Sequence, residues 1–135
     1  VLFRSCIQPD AIAQHPQLAL SPQSVAMVMT HSFTRDKALL RTLVPRRLRY
    51  VGVLGPRIRT QRILDELAGE GVTFTAEMIE RLHGPAGLDI AAETPEEIAI
   101  SIIAEMRAIL GRRTGGPLAQ RVGSIHEPVD EAVAQ

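Results

Sequence analysis

"RYVGVLGPRIRTQRI" (Arg49–Ile63) runs from an apolar strand through a Gly-Pro break into the start of a helix. Tyr50 to Leu54 is a short unbroken apolar run, the pattern of a strand covered on both faces in a parallel sheet. Gly55-Pro56 supplies the turn, and the preset φ of proline suits the first helical position. Ile63, Leu64, Leu67 and Ala68 then recur at helical spacing up to Gly69–Gly71. The same order occurs one step earlier. "VAMVMT" (Val25–Thr30) reads as a buried strand, and "RDKALLRTL" places Ala38, Leu39 and Leu43 on one helical face, with Asp36 in the first turn and Pro45 ending it. Strand, helix, strand, helix predicts an α/β fold: a partial doubly wound parallel sheet with flanking helices. It is partial because such sheets usually have about five or six strands.

Downstream, Thr75 is placed to cap a short helix carrying Met78, Ile79 and Leu82, and a loop follows from His83 to Glu93. Thr94-Pro95-Glu96-Glu97 is a capping box with proline just inside it. The helix it opens is expected to turn Ile98, Ile102, Met106 and Ile109, with Ala99 and Ile103, toward a core and to stop at Gly111. The expected domain therefore spans 25–111, with 1–24 an N-terminal remnant and 112–135 a linker and flexible tail. Within the remnant, "VLFRS" (1–5) matches the translation of a sequencing-adapter end and is expected to be foreign to the native frame.

Composition removes several classes of function. Fifteen Lys+Arg balance fifteen Asp+Glu, and only 3% of residues are aromatic, so nucleic-acid binding lacks both its electrostatic and its stacking signature. No apolar run reaches the roughly 18 residues that cross a membrane, and no secretory leader pattern opens the chain, so a cytoplasmic location is expected. Cys6 has no neighbouring ligand or base and is assigned no role. His31, Asp36 and His83 share no metal-ligand spacing, so no metal site is expected, and no catalytic motif is found.

What remains is one edge of the sheet. Ligands of doubly wound sheets sit beyond the carboxyl ends of the strands, which gathers "MTHSFTRD" and "LGPRIR" together. His31 and Asp36 read either as a polar pair at a ligand crevice or as a loop histidine beside a helix-opening carboxylate. Arg57 and Arg59 oppose the helix macrodipole at a cost of about 0.3–1 kcal/mol each, which an anionic ligand would offset. The alternative is a solvated charge run. Pro56 lacks an N–H and no G-x-G-x-x-G occurs, so anion recognition beside Gly55 falls to arginine side chains. Gly84, Pro85 and Gly87 shape a tight loop that presents Asp89, as a binding group or as a turn carboxylate.

Three segments, "MTHSFTRDKALL" (29–40), "YVGVLGPRIRTQRIL" (50–64) and "HGPAGLDIAAETPEEIAISIIAEM" (83–106), together resemble the C-terminal Rossmann-type domain of the XdhC/CoxI family in order and spacing. That family's first strand with its Gly-Ala-Gly-His turn, and its Gly-Gly-Cys domain, have no counterpart here. The chain thus looks like the C-terminal half of the domain. The resemblance implies an accessory protein for molybdenum hydroxylases of the xanthine dehydrogenase type, a cofactor-binding chaperone more than an enzyme. It implies molybdenum cofactor (molybdopterin) bound as cargo, sulfuration with a cysteine desulfurase, delivery to the apo-enzyme, and a homodimer among the partners. The expected cofactor-binding residues are His31, Asp36, Gly55, Arg57, Arg59, Gly87 and Asp89. The rival reading is a fragment of a nucleotide-dependent, NAD(P)-using oxidoreductase, or of a protein with no cofactor.

Overall fold

Val25–Val28 (β1), Tyr50–Val53 (β2) and Leu82–His83 (β3) pair in parallel, in that spatial order, in a computed structural model that describes residues 8–15 and 20–126. The 1–5 segment, Cys6 and the tail residues 127–135 lie outside the described residues. The chain divides into two compact units, Val1–Ala86 and Gly87–Gln135.

In the first unit, β1 is followed by α1 (Phe33–Leu43) and β2 by α2 (Arg57–Gly69), as the apolar spacing predicts. Val28, Val51 and Val53 of the strands meet Leu39, Leu40 and Leu43 of α1 and Ile63 and Leu67 of α2 in one buried cluster. Each fully buried aliphatic chain contributes about 1.5–3 kcal/mol, so this cluster is the main stabilising feature of the unit. Lys37 bridges from α1 to Glu66 of α2 (3.0 Å) and to Glu70 at its C-cap (2.8 Å), and Arg41 also pairs with Glu70. The Lys37 ammonium is the main reason that the Glu66 carboxyl lies below its ordinary range.

Several boundaries differ from the sequence reading: β1 ends at Val28 and not Thr30, β2 ends at Val53 and not Leu54, and α1 begins at Phe33, ahead of Arg35. Pro56 precedes α2 as its N-cap residue in extended conformation, one position earlier than expected. Leu82, assigned to the short helix α3 (Ala76–Glu80), instead begins β3. Two residues are too few to show a strand period, so only pairing with Val51 and Gly52 reveals that strand.

In the second unit, α4 (Pro95–Leu110) opens on the predicted capping box and closes at Gly111. Thr94 Oγ1 accepts from Glu97 N (3.3 Å), while Glu97 Oε2 accepts from the backbone N–H groups of Thr94 and Glu93 (2.9 Å each). Ser101 and Ile102 are buried, but Ala99 and Ile103, expected to face a core, are exposed. The donors at Thr94 first, then at Glu93, hold the Glu97 carboxyl below its ordinary value of 4.5. Folding therefore favours the ionised form. Its stabilisation is fully present above 4.5 and is lost as pH falls through the lowered folded value. Glu97→Gln is expected to lower the helicity of α4 at neutral pH and to remove this segment of its pH dependence, as followed by circular dichroism during acid titration. Identical acid profiles for both proteins would contradict the assignment.

Candidate functional site

The parallel register Val28↔Val53 brings the carboxyl ends of β1 and β2 to the same edge, where Leu54 N donates to Val28 O (2.9 Å). From β1 the chain passes through Thr30 and His31 to Ser32, which caps α1 by accepting from Arg35 N (3.4 Å). From β2 it passes through Gly55, whose φ of 119° lies where a side chain is strained, into α2. Neither turn is a phosphate-cradling loop. Both present side chains at the edge where ligands of such sheets are bound.

Asp36 is only 1% exposed in the first turn of α1. Thr30 Oγ1 donates to its Oδ1 (2.5 Å), and the Arg59 guanidinium, from the first turn of α2, donates to its Oδ2 (2.6 Å). Both carboxylate oxygens are therefore held, and the two strand ends are joined by a charge-assisted bond. This answers half of the question raised by the arginines: the anion that Arg59 meets is a carboxylate of the protein itself. Burying an ion pair costs desolvation that good geometry offsets, and removing one partner leaves the other stranded. Arg59 Nε is buried with no hydrogen-bond partner among the described residues, so the guanidinium is not fully satisfied by Asp36. Sequence reasoning placed Asp36 and Arg59 at the edge but did not pair them, because they are 23 residues apart and only the parallel register brings them together.

The other arginines separate by geometry. Arg62 lies over the Phe33 ring, 5.0 Å from its centroid, and pairs with Glu66 (3.4 Å). Arg57 is exposed at the start of α2 and has no side-chain partner among the described residues. The N-terminus of α2 has no side-chain cap either, since Pro56 supplies none. His31, also exposed, has φ 58°, a left-handed conformation that a histidine adopts at a cost of about 1 kcal/mol. Gly55, Arg57 and His31 thus form the accessible part of the edge.

Gly87 and Asp89 belong to the second unit. There Gly87 N donates to Glu105 (2.8 Å), and Ser101 Oγ donates to Leu88 O (2.6 Å), so α4 holds Gly87 and Leu88 while Asp89 stays exposed. The grip of Ser101 and Glu105 on this loop was missed in the sequence, although their spacing of one helical turn was available as a signal. Among the described residues, no group of three or more His, Cys, Asp or Glu is placed to hold a metal ion, and no helix is long and apolar enough to cross a membrane.

The family model described as "XdhC Rossmann domain" matches residues 4–106. An uncharacterised Escherichia coli protein, YqeB, is 35% identical over 99 residues, covering 73% of this chain and 18% of that protein. A Bacillus subtilis protein described as a probable subunit of xanthine dehydrogenase is 36% identical over 85 residues, covering 63% of this chain and 23% of that protein. A crystal structure described as a xanthine dehydrogenase from Bacillus halodurans superposes with a TM-score of 0.64 at 31% identity, over 85% of this chain and 30% of that one. The chain spans less than a third of the length of each of these relatives.

Proposed function

The chain belongs to the XdhC Rossmann-domain family, and from that membership we propose that it serves a xanthine dehydrogenase-type molybdenum hydroxylase as an accessory protein, carrying molybdenum cofactor as cargo in the cytoplasm. Sulfuration of the cofactor with a cysteine desulfurase, and delivery to the apo-enzyme, belong to the same proposal. The relationship to a probable component of xanthine dehydrogenase supports the client. The observation that supports the cargo is the exposed Arg57, without a side-chain partner among the described residues, at the start of α2, which has no side-chain cap.

Molybdopterin ends in a phosphate. A guanidinium beside open backbone N–H groups at a helix start suits that group, and it also offsets the unfavourable placement of a cation there. In this reading Arg57 recognises the phosphate, His31 borders the pterin, and Gly55 keeps the turn clear of side-chain bulk. Asp36 and Arg59 position the two strand ends, with the unpartnered Arg59 Nε in the same region of the fold. Cargo is held by its anionic group and is released when the client binds its metal end.

Arg57→Gln is expected to leave the melting temperature unchanged or slightly raised while weakening molybdopterin binding by about 1–3 kcal/mol, the scale of one hydrogen bond to a charged group. Equilibrium titration of both proteins with molybdopterin checks this. Equal affinities would remove Arg57 from the site and leave it as surface charge.

A further inference from the structure

The net charge of zero hides a segregation along the chain. Between Asp36 and Asp65 there is no acidic residue, whereas from Asp65 to Glu105 Arg81 is the sole Lys or Arg. The fold neutralises part of the basic stretch: Lys37, Arg41 and Arg62 meet Glu66 or Glu70, and Arg59 meets Asp36. Arg47 and Arg49 are left out. Arg47 is exposed, Arg49 is half-buried, and neither has a side-chain partner among the described residues.

Their backbone is nonetheless fixed. Val44–Arg46 forms a single 3-10 turn after α1, and β2 begins at Tyr50. Val44, Leu48 and Tyr50 are buried, and Arg49 N donates to Ser24 O (3.0 Å), so the segment is pinned at both ends and at its middle. Arg47 has φ 53°, a left-handed conformation that suits Gly or Asn and disfavours a residue such as arginine. Arg46, Arg47 and Arg49 also repel one another at this spacing. Neither the turn nor the packing gives a reason for arginine at 47 or 49. The helix α3 packs on this turn, but Glu77 is engaged by Arg81 (2.6 Å), and Glu80 has no side-chain partner among the described residues, so neither acid neutralises them.

This turn lies at the amino end of β2, the opposite end from Gly55 and Arg57. Guanidinium groups pair with carboxylates through parallel hydrogen bonds, and two of them on a pinned backbone lose little freedom in doing so. A nucleic acid suits the turn less, because aromatic residues are only 3% of the chain and a strand of nucleotides needs a longer basic track with stacking surfaces. We propose that Val44–Arg49 is a docking point for an acidic segment of a partner protein, whose carboxylates pair with Arg47 and Arg49. The inference does not depend on the cargo proposed above.

A nuclear magnetic resonance titration of the isotope-labelled 135-residue chain tests it, with a peptide of about ten glutamates as the probe. Saturating shift changes centred on residues 44–50, weakened by added salt, are expected. Arg47→Glu combined with Arg49→Glu is expected to raise the dissociation constant by about tenfold, with thermal melting confirming that the variant folds. Should the half-buried Arg49 disturb folding, Arg47→Glu alone is expected to raise it about threefold, and Arg47→Lys to keep most of the binding. Absence of binding would overturn the proposal, as would shifts centred on another part of the chain or an affinity indifferent to charge reversal. Equal binding of an oligothymidylate of the same length would overturn it too, by making the turn a general polyanion contact.

Discussion

Arg59→Gln is expected to destabilise the chain by about 2–4 kcal/mol, lowering its melting temperature by on the order of 10 °C. The charge at Asp36 is what makes the loss large. With 1% exposure, that carboxylate has no water to replace the guanidinium, and Thr30 alone would remain as its donor. The expected value sits toward the lower part of the range for a broken buried pair, because the Arg59 side chain is itself 27% exposed. Asp36→Asn combined with Arg59→Gln is expected to recover at least half of the deficit, since removing both charges leaves no stranded ion. Thermal melting of the wild type, the two single variants and the double variant gives the coupling directly. If Arg59→Gln melts with the wild type, the ion pair is only a surface contact and the joining of the two strand ends fails with it.

Gly52→Ala carries the second large effect, expected at about 2–3 kcal/mol. Gly52 faces Met27 across one strand pairing and His83 across the other. The Tyr50 ring, fully buried two residues earlier on the same face, lies along β2 over the position a Cβ would take and stacks on His83 with centroids 4.6 Å apart. A methyl group at Gly52 would meet Met27 Sδ at 2.6 Å and the Tyr50 ring and hydroxyl at 2.7 and 2.8 Å. Met27 is flexible and can yield, whereas a stacked and buried tyrosine cannot turn without losing its partners. Tyr50→Ala on the Gly52→Ala background should add much less than its cost in the wild type, because the clash is then removed with the ring. Full additivity of the two losses in melting experiments would show that Gly52 does not shape the slot for Tyr50.

Legibility in the sequence followed chain distance. The units readable over a few neighbours were found with their ends shifted by a residue or two: the apolar runs of β1 and β2, the helices α1 and α2, although Ala68 of the expected α2 stripe is exposed, and the capping box at Thr94. The carboxyl-end edge was also legible, because parallel strands, and the placement of ligands beyond their ends, follow from the order of elements. What required long-range pairing was not. The strand Leu82–His83 exists only by virtue of its bonds to β2, and no local period marks it. The two arginines in the first turn of α2 carry the same sequence signal, a cation where the dipole disfavours one, yet only Arg59 finds an internal carboxylate. Likewise α4 has apolar residues on more than one side, so periodicity could not say which of Ile102 and Ile103 would be buried.

Titration of the wild-type chain with molybdopterin tests the central claim most directly, with NADH as the competing ligand of the rival reading. Saturable one-to-one binding of molybdopterin, weakened by competing inorganic phosphate and unaffected by NADH, is the predicted result. Saturable NADH binding with no response to molybdopterin would contradict the account and return the edge of β1 and β2 to a nucleotide-dependent enzyme.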